Sequence, residues 1–552
     1  MPFGIDLGTT TTLVARAHQG KDPETIEAEI LKVQQPGENG QELNHLPSVA
    51  YIPETGSPIV GKWAKENGHH KNAARCIRAV KRLMGRELFL PVIEQTPAQI
   101  SALYLEEVLR QIVERGFPLD ELTVTVPASY TTNQRRDTLH AVDLALDALK
   151  LPRLGQAQRE RLLISEPVAA LLAFIAWDMQ RARHARRLEI PPDASTRVLV
   201  YDIGGGTLDL TIVELSWRDP HGAGILNNLQ FKVIEISRHN QFGGEDFDLR
   251  LAREFLYRQL LAQFPALENL ELSDAERLAL RYDLVNEAER LKIALNAELE
   301  FDEESVYFNV KPLVIRGQEY PFSIELTESD YEDLMGPYLQ YHQTAKNALY
   351  PITEILDKAQ MAKADIHYFL PVGGMVRLLP LQKALQAYWG QEATFLAFPV
   401  PDEAIGQGAA VYSYLKTVNS DFRIDEPAAD AYYVCLTQGF DLLLERKERI
   451  NQYRTYHLDK KGDKLLLQLF AGDDPPSRED LWPIYHTLIY QGGVAIPLDK
   501  EYEAGTPVQI QIERRADTKV PVVRLQIGEP PKFVREIDFE DLKNTHKEIR
   551  YA

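Results

Sequence analysis

The chain has little cysteine, no long apolar run and no excess of positive charge, and each shortage excludes a class of protein. Cys76 and Cys435 are the only cysteines in 552 residues. They lie far apart, in no CxxC or other metal-ligand spacing. Neither a disulfide framework nor a cysteine-built metal centre is expected, and a reducing cytoplasm fits. The longest apolar run, "VAALLAFIAW" at 168–177, is too short to span a bilayer and reads as a core helix. The N-terminus has no basic segment followed by an apolar run, so no leader is expected. Acidic residues (81) outnumber basic ones (61), for a net charge of −20. That balance argues against nucleic acid or an anionic membrane as a partner. Low-complexity sequence is scarce.

What is present is ordinary for a multidomain globular protein: 44% hydrophobic and 26% charged residues. At roughly 150 residues per domain, three or four domains are expected. "PAQISALYLEEVLRQIVERG" has helical period, and "LTVTVPAS" reads as a strand ending at Pro127. Residues 249–300 read as amphipathic helix broken near Pro265, and 366–385 as a strand entering a glycine turn. Up to about residue 416 helices alternate with strands. Beyond a polar linker at 417–430 come short alternating runs, among them "KLLLQLFAG", "PVQIQIERR" and "VPVVRLQIG". These predict half-buried strands over 431–534, followed by a short helix in 535–552.

Two stretches resemble each other. "FGIDLGTTTTLV" (3–14) and "VLVYDIGGGTLDLTIVEL" (198–215) each read as strand, Asp, glycine turn, Thr, strand. The pair suggests a duplicated, two-lobed fold. Glycine turns let backbone N–H groups approach phosphate oxygens. A neighbouring Asp cannot hold a bare phosphate but can hold a hydrated Mg²⁺ that does. One Asp from each lobe, Asp6 and Asp202, would set a metal in the cleft between them, which is phosphoryl-transfer chemistry by positioning and charge neutralisation. A tight hairpin with a polar turn is the plainer alternative for either stretch alone. "GSPIVGKW" at 56–63 looks like a rival phosphate loop, but Trp63 cannot ligate Mg²⁺ and Pro58 removes a donor, so it reads as a strand edge.

Over residues 1–416 an ordered set of motifs resembles the heat-shock 70-kDa (DnaK-type) chaperone family: "GIDLGTT", "AVKRLMGR", "VTVPASYTTNQRR", "LISEPVAA", "VYDIGGGTLDL", "FGGEDFD", "EAERLKIAL", "PVGGMVR" and "PDEAIGQGAA". The resemblance implies an α/β ATPase domain of the actin-like, ribonuclease-H-like fold, followed by a small β-sandwich. By position it implies that Asp6 and Asp202 orient Mg²⁺ and that Asp209 lies near a potassium ion. Gly8, Thr9, Thr10, Gly204, Gly205, Gly206 and Thr207 would surround the phosphates of ATP or ADP. Lys81 would reach the γ-phosphate and the attacking water, and Glu166 would serve the hydrolytic centre. Gly243, Gly244, Glu289, Lys292, Asn296, Gly373, Gly374, Arg377 and Asp402 would complete the nucleotide pocket, and Pro127 and Arg135 would relay nucleotide state. Other readings stand beside these. Lys81 could belong to a solvated basic face with Arg75, Arg78 and Arg82. Glu166 could be a helix N-terminal carboxylate, and Pro127 a strand terminator. Arg181, Arg183, Arg186 and Arg187 read as an exposed helix end.

The chain departs from the family pattern in three pocket positions: Ile293 stands for an arginine, Asn296 for a serine and Met375 for a serine. Isoleucine cannot stack a planar cation on adenine. The region after "GRELF" is short, and the acidic leucine-rich linker is absent near residue 420. "DLLLE" at 441–445 reads as a strand instead. The remaining residues can hold a β-sandwich but not also a long helical lid. The expected activity is an ATP-dependent, stress-response chaperone that binds unfolded or extended polypeptides, with a J-domain co-chaperone and a nucleotide exchange factor as partners. A nucleotide-gated scaffold for one partner is the alternative, and a small-molecule kinase shares the fold.

Overall fold

A computed structural model describes residues 1–22, 24–38, 40–85, 93–159, 161–181, 183–219, 225–237, 241–344, 346–419, 422, 424, 431–436, 439–445, 448, 450–472, 488–514 and 521–538. The chain forms two compact units. One holds Met1–Ser129, Ala141–Arg153 and Ile164–Ile424; the other gathers Tyr130–His140, Leu154–Leu163 and the described residues after 425.

The first unit contains two sheets built alike. In the first, the strands lie in the order Leu163–Ser165, Glu121–Val126, Pro2–Leu7, Thr11–Gln19, Ile26–Leu31. Pro2–Leu7 runs parallel to Glu121–Val126 and antiparallel to Thr11–Gln19. Alternation puts Phe3, Ile5 and Leu7 on one face and Gly4 and Asp6 on the other. The Gly4 face is covered by the helix Ala404–Val418, because a Cβ on Gly4 would lie 2.1 Å from the Ala410 nitrogen. The same helix meets Glu166–Met179 through Gly408, whose Cβ would fall 1.7 Å from the Ala169 carbonyl oxygen. Only glycine permits that approach.

The second sheet repeats the plan: Leu229–Ile236, Leu208–Trp217, Thr196–Ile203, Tyr368–Val372, Thr394–Phe395. Again an antiparallel hairpin, Thr196–Ile203 with Leu208–Trp217, has a parallel strand on its other side. Leu199, Tyr201, Ile203 and Leu210 pack against Phe242, Phe247, Leu291 and Leu295 in one core. The long helix Asp274–Leu299 starts at a Ser273–Glu276 capping box, after the break expected near Pro265. The duplication read from the two aspartate stretches is therefore present as two equivalent strand–turn–strand units. "GSPIVGKW" supplies Ile59–Val60, the edge strand of a three-stranded sheet.

In the second unit, two four-stranded antiparallel sheets face each other. Their orders are Gly439–Leu444, Ala431–Leu436, Gly462–Gly472, Leu488–Tyr502 and Arg454–His457, Pro507–Arg514, Pro521–Ile527, Lys532–Asp538. Tyr432, Leu443, Leu467 and Leu469 of one sheet share a core with Ile510, Ile512, Val523 and Leu525 of the other, which makes a β-sandwich. The "DLLLE" stretch is a strand, as read.

Two expectations are corrected. Residues 535–538 continue the strand Lys532–Asp538 rather than a helix. "KFVREID" alternates and pairs with Pro521–Ile527, so its period is two. The rest of the predicted C-terminal segment and most of the 417–430 linker fall outside the described residues. The arginines at 181–187 follow a helix end and Arg187 is exposed, as read; the correction concerns Arg181, which is half-buried with its guanidinium 5.1 Å from the Trp177 ring centre, while that of Arg187 lies 5.7 Å from it. An aromatic face offers a guanidinium more than water does there.

Candidate nucleotide-binding cavity

The two hairpin turns open onto one cavity of about 930 Å³ within the first unit. Asp6 ends the first strand, and its carboxylate accepts a hydrogen bond from Thr125 Oγ1 at 2.8 Å. Asp202 ends the corresponding strand and sits directly opposite Asp209 in the hairpin ladder. Like charges facing each other across a ladder destabilise it. Ser129 Oγ donates to Asp209 Oδ1 at 2.7 Å. Asp202 Oδ1 and Asp209 Oδ2 are buried with no hydrogen-bond partner among the described residues.

Lys81 and Glu166 come to the same place from different elements. Ala79, at φ +51°, turns the chain into the short helix Val80–Leu83, and Glu166 opens the helix Glu166–Met179. Their side chains form a buried ion pair. Burial pushes the Glu166 carboxyl up to about 7 against the pull of Lys81. Burial also disfavours the charged form of Lys81, but Glu166 and Asp6 outweigh it and hold the lysine above its ordinary value. Burial, then Glu166, Asp209 and Asp6, drive Asp202 well above the usual carboxylate range. Asp6 is raised by burial while Lys81 and Thr125 pull it down. This is a cluster of carboxylates with one ammonium among them, buried, and with unpartnered oxygens. Its donor set fits a hard divalent cation.

The glycine turns make the cradle. A Cβ on Gly205 would lie 2.2 Å from Thr10, and one on Gly206 2.3 Å from Thr9, so the turns of the two lobes touch only because these are glycines. A Cβ on Gly204 would meet open space. Gly373, at φ +88°, approaches the Ile203 carbonyl. Helix Gly244–Leu251 braces the turn: Gly244 and Glu245 nitrogens donate to the Gly204 and Gly205 carbonyls at 3.0 and 2.7 Å. Arg82 Nε donates to the Gly206 carbonyl at 2.9 Å and so ties the Lys81 segment to the second lobe.

Of the residues expected in the site, Asp6, Gly8, Thr9, Thr10, Lys81, Glu166, Asp202, Gly204, Gly205, Gly206, Thr207, Gly244, Glu289, Lys292, Asn296, Gly373, Gly374, Arg377 and Asp402 line the cavity. Gly243 stands just behind, its N–H donating to Asp246. Asp209, Pro127 and Arg135 are buried and are not among the lining residues. Arg135 lies in the helix Thr132–Ala148, where its Nε donates to the Tyr130 carbonyl at 3.4 Å. The three departures from the family pattern all line the cavity: Ile293 is 61% exposed, Met375 is buried, and Asn296 Oδ1 accepts from the Leu379 N–H at 2.8 Å. Arg377 pairs with Asp402, and Lys292 with Asp248 at 2.7 Å.

Thr125, Ser129, Glu245 and Asp248 were not singled out by sequence, and Arg82 was read only as part of a solvated basic face. Thr125 and Ser129 flank Pro127, and their hydroxyls point at aspartates only once the strands are paired. Burial pushes Glu245 up to about 7 and Asp248 to about 6, opposed by Arg82 and Lys292.

A model of the Hsp70 protein family matches residues 2–96 and 93–426. The chain is similar to the chaperone protein DnaK of Thermotoga neapolitana, 29% identical over 413 residues, which is 74% of this chain and 58% of that protein. Similarity to the DnaK of Thermosipho africanus is 29% over 414 residues, with the same coverage. For the DnaK of Thermoplasma volcanium it is 29% over 424 residues, 75% of this chain and 59% of that one. The chain thus spans under two thirds of the length of these relatives.

Proposed function

The chain belongs to the Hsp70 family, and on that premise we propose that it is an ATP-dependent molecular chaperone, hydrolysing Mg-ATP to ADP and phosphate to control its hold on extended polypeptide segments. The observation that carries the reading is the convergence of two aspartate turns and the Lys81–Glu166 pair on one cavity.

Asp6 and Asp202 would hold Mg²⁺, which supplies charge neutralisation to the phosphates when bound. The N–H groups of the Gly204–Thr207 turn and the turn at Gly8–Thr10 cradle phosphate oxygens. The Lys81 ammonium faces the γ-phosphate and offsets charge developing on it. Glu166, its pKa pushed up to about 7 by burial, would as the carboxylate take the proton of the attacking water as the phosphorus–oxygen bond to ADP breaks. Asp209 would serve a potassium ion. Glu289, Lys292, Arg377 and Asp402 frame the far end of the cavity for the nucleoside. Pro127 and Arg135 are the proposed relay to the β-sandwich, and domains 1–416 and 431–534 the proposed functional division. The sandwich would take extended peptides by strand pairing, with pockets for apolar side chains. A J-domain co-chaperone and an exchange factor are the proposed partners, in a cytoplasmic setting. No helix of the described residues is long and apolar enough to cross a membrane.

The test is Mg-ATP turnover by the full chain with and without unrelated extended apolar peptides. Stimulation by several unrelated peptides is expected. Stimulation by one native protein alone would replace the chaperone with a nucleotide-gated scaffold, and phosphorylation of a small molecule would replace it with a kinase.

A further inference from the structure

Outside the cavity, one cluster of metal-ligating side chains stands apart. His69 and His70 are adjacent in sequence on the short helix His69–Asn72, and Asp283 lies on the helix Asp274–Leu299. Consecutive helical side chains point about 100° apart and do not normally meet. Here both imidazoles reach the same oxygen: His69 Nε2 is 2.8 Å and His70 Nε2 3.2 Å from Asp283 Oδ1. The two rings lie 4.1 Å apart at 38°. One donor atom from each of the three residues falls within 4.8 Å of the other two.

We propose that His69, His70 and Asp283 form a zinc site that clasps the first lobe to the second. Zinc takes nitrogen and oxygen ligands tetrahedrally at about 2.0–2.2 Å, so neighbouring ligand atoms stand about 3.3–3.5 Å apart. The two histidine–aspartate separations, 2.8 and 3.2 Å, are about 0.1–0.7 Å shorter than that, within the reach of small rotations. His69 is buried and fixed in place. The His70 side chain is 45% exposed, which leaves an entry path and room for water as the fourth ligand. Arg78 is committed elsewhere: it donates to Asn286 Oδ1 at 2.8 Å and to the Lys65 carbonyl at 2.7 Å, and lies over the Tyr282 ring.

The position gives such a site a role. Asp283, Asn286 and Glu289 are three residues apart on one face of the helix, and each is held from the first lobe: by His69 and His70, by Arg78, and by Lys65. Glu289 lines the cavity; Asp283 lies about 9 Å along the axis from it. A metal at Asp283 would fasten the outer end of this seam.

Zinc titrated calorimetrically into the full chain in millimolar Mg²⁺ tests the site, with cobalt absorption as a second reading of tetrahedral nitrogen–oxygen ligation. Wild type should bind one equivalent. His70→Ala, at an exposed ring that folding does not need, and Asp283→Asn should each weaken binding by about tenfold or more. His342→Ala, an exposed histidine on another element, should bind like wild type. Zinc should also raise the melting temperature of wild type and not that of the two ligand variants. No zinc uptake by wild type, or equal affinity in both ligand variants, would overturn the proposal. These readings do not depend on nucleotide, so a failed ATPase assay leaves them standing.

Discussion

The Lys81 ammonium and the Glu166 carboxylate, 85 residues apart in sequence, meet as a buried ion pair on the cavity wall. Removing one member leaves the other charge nearly buried and without its counter-charge, a loss typically of about 3–5 kcal/mol. Lys81→Ala should lower Mg-ATP turnover at least tenfold and lower the urea midpoint. The double variant Lys81→Met/Glu166→Leu should be more stable than Lys81→Ala while equally inactive. Turnover like wild type in Lys81→Ala would remove Lys81 from the mechanism.

Asp202 faces Asp209 across the hairpin with Asp6 and Glu166 nearby. Without a cation, this crowding opposes folding. Asp202→Asn should therefore raise ligand-free stability by about 0.5–2 kcal/mol. It should also abolish the added stability that Mg-ADP confers on wild type. Thermal unfolding with and without Mg-ADP reads both; an undiminished Mg-ADP shift would exclude Asp202 as a metal holder.

Partial burial pushes Glu245 up to about 7 in the folded protein against the pull of Arg82, from an ordinary value of 4.5. Between those values the folded state binds more protons than the unfolded chain. Its contribution to stability is thus fully present below pH 4.5 and lost as pH rises through 7. Urea midpoints of the nucleotide-free protein should fall from pH 5 to pH 8, and Glu245→Gln should flatten the fall. An equal slope in the variant would place the titration elsewhere.

Ile293 leaves a largely exposed apolar side chain on the cavity wall where the family pattern has arginine. Ile293→Arg should tighten ADP by about 0.5–2 kcal/mol through stacking on the base. Calorimetry showing no gain would mean that the base does not rest at this end.

In the β-sandwich, buried Asn451 donates from Nδ2 to the Leu443 carbonyl at 2.9 Å and accepts from the Ile512 N–H at 2.7 Å, one partner in each sheet. Asn451→Ala leaves both backbone groups unsatisfied and should cost about 1–3 kcal/mol. Differential hydrogen exchange should show the loss at Leu443 and Ile512 first.

Much of this was legible along the chain. Periodicity located the helix at 97–114, a continuous apolar run marked the core helix at 168–177, and alternation located most strands of the sandwich, because these patterns record how much of an element meets a core. The repeated Asp–glycine turns announced the duplication, since a glycine at Gly205 and Gly206 leaves room for the Thr10 and Thr9 side chains of the other turn. Arg454–His457 and Lys532–Asp538 were missed because polar-rich edge strands bury little, and Leu488–Tyr502, also an edge strand, was not singled out either.

By itself, then, the sequence determined which residues could bind: local turn chemistry places Asp6, Asp202 and the glycines at strand ends wherever those strands go. Tertiary structure alone decided their environment. It placed Lys81 against Glu166, Thr125 against Asp6 and two consecutive histidines on Asp283, and it turned Arg181 and Arg187 onto Trp177. Those pairings join residues far apart in the chain, or neighbours whose side chains should diverge. Their charge states follow from burial and from which charges lie beside them, and neither is a property of any local stretch of sequence.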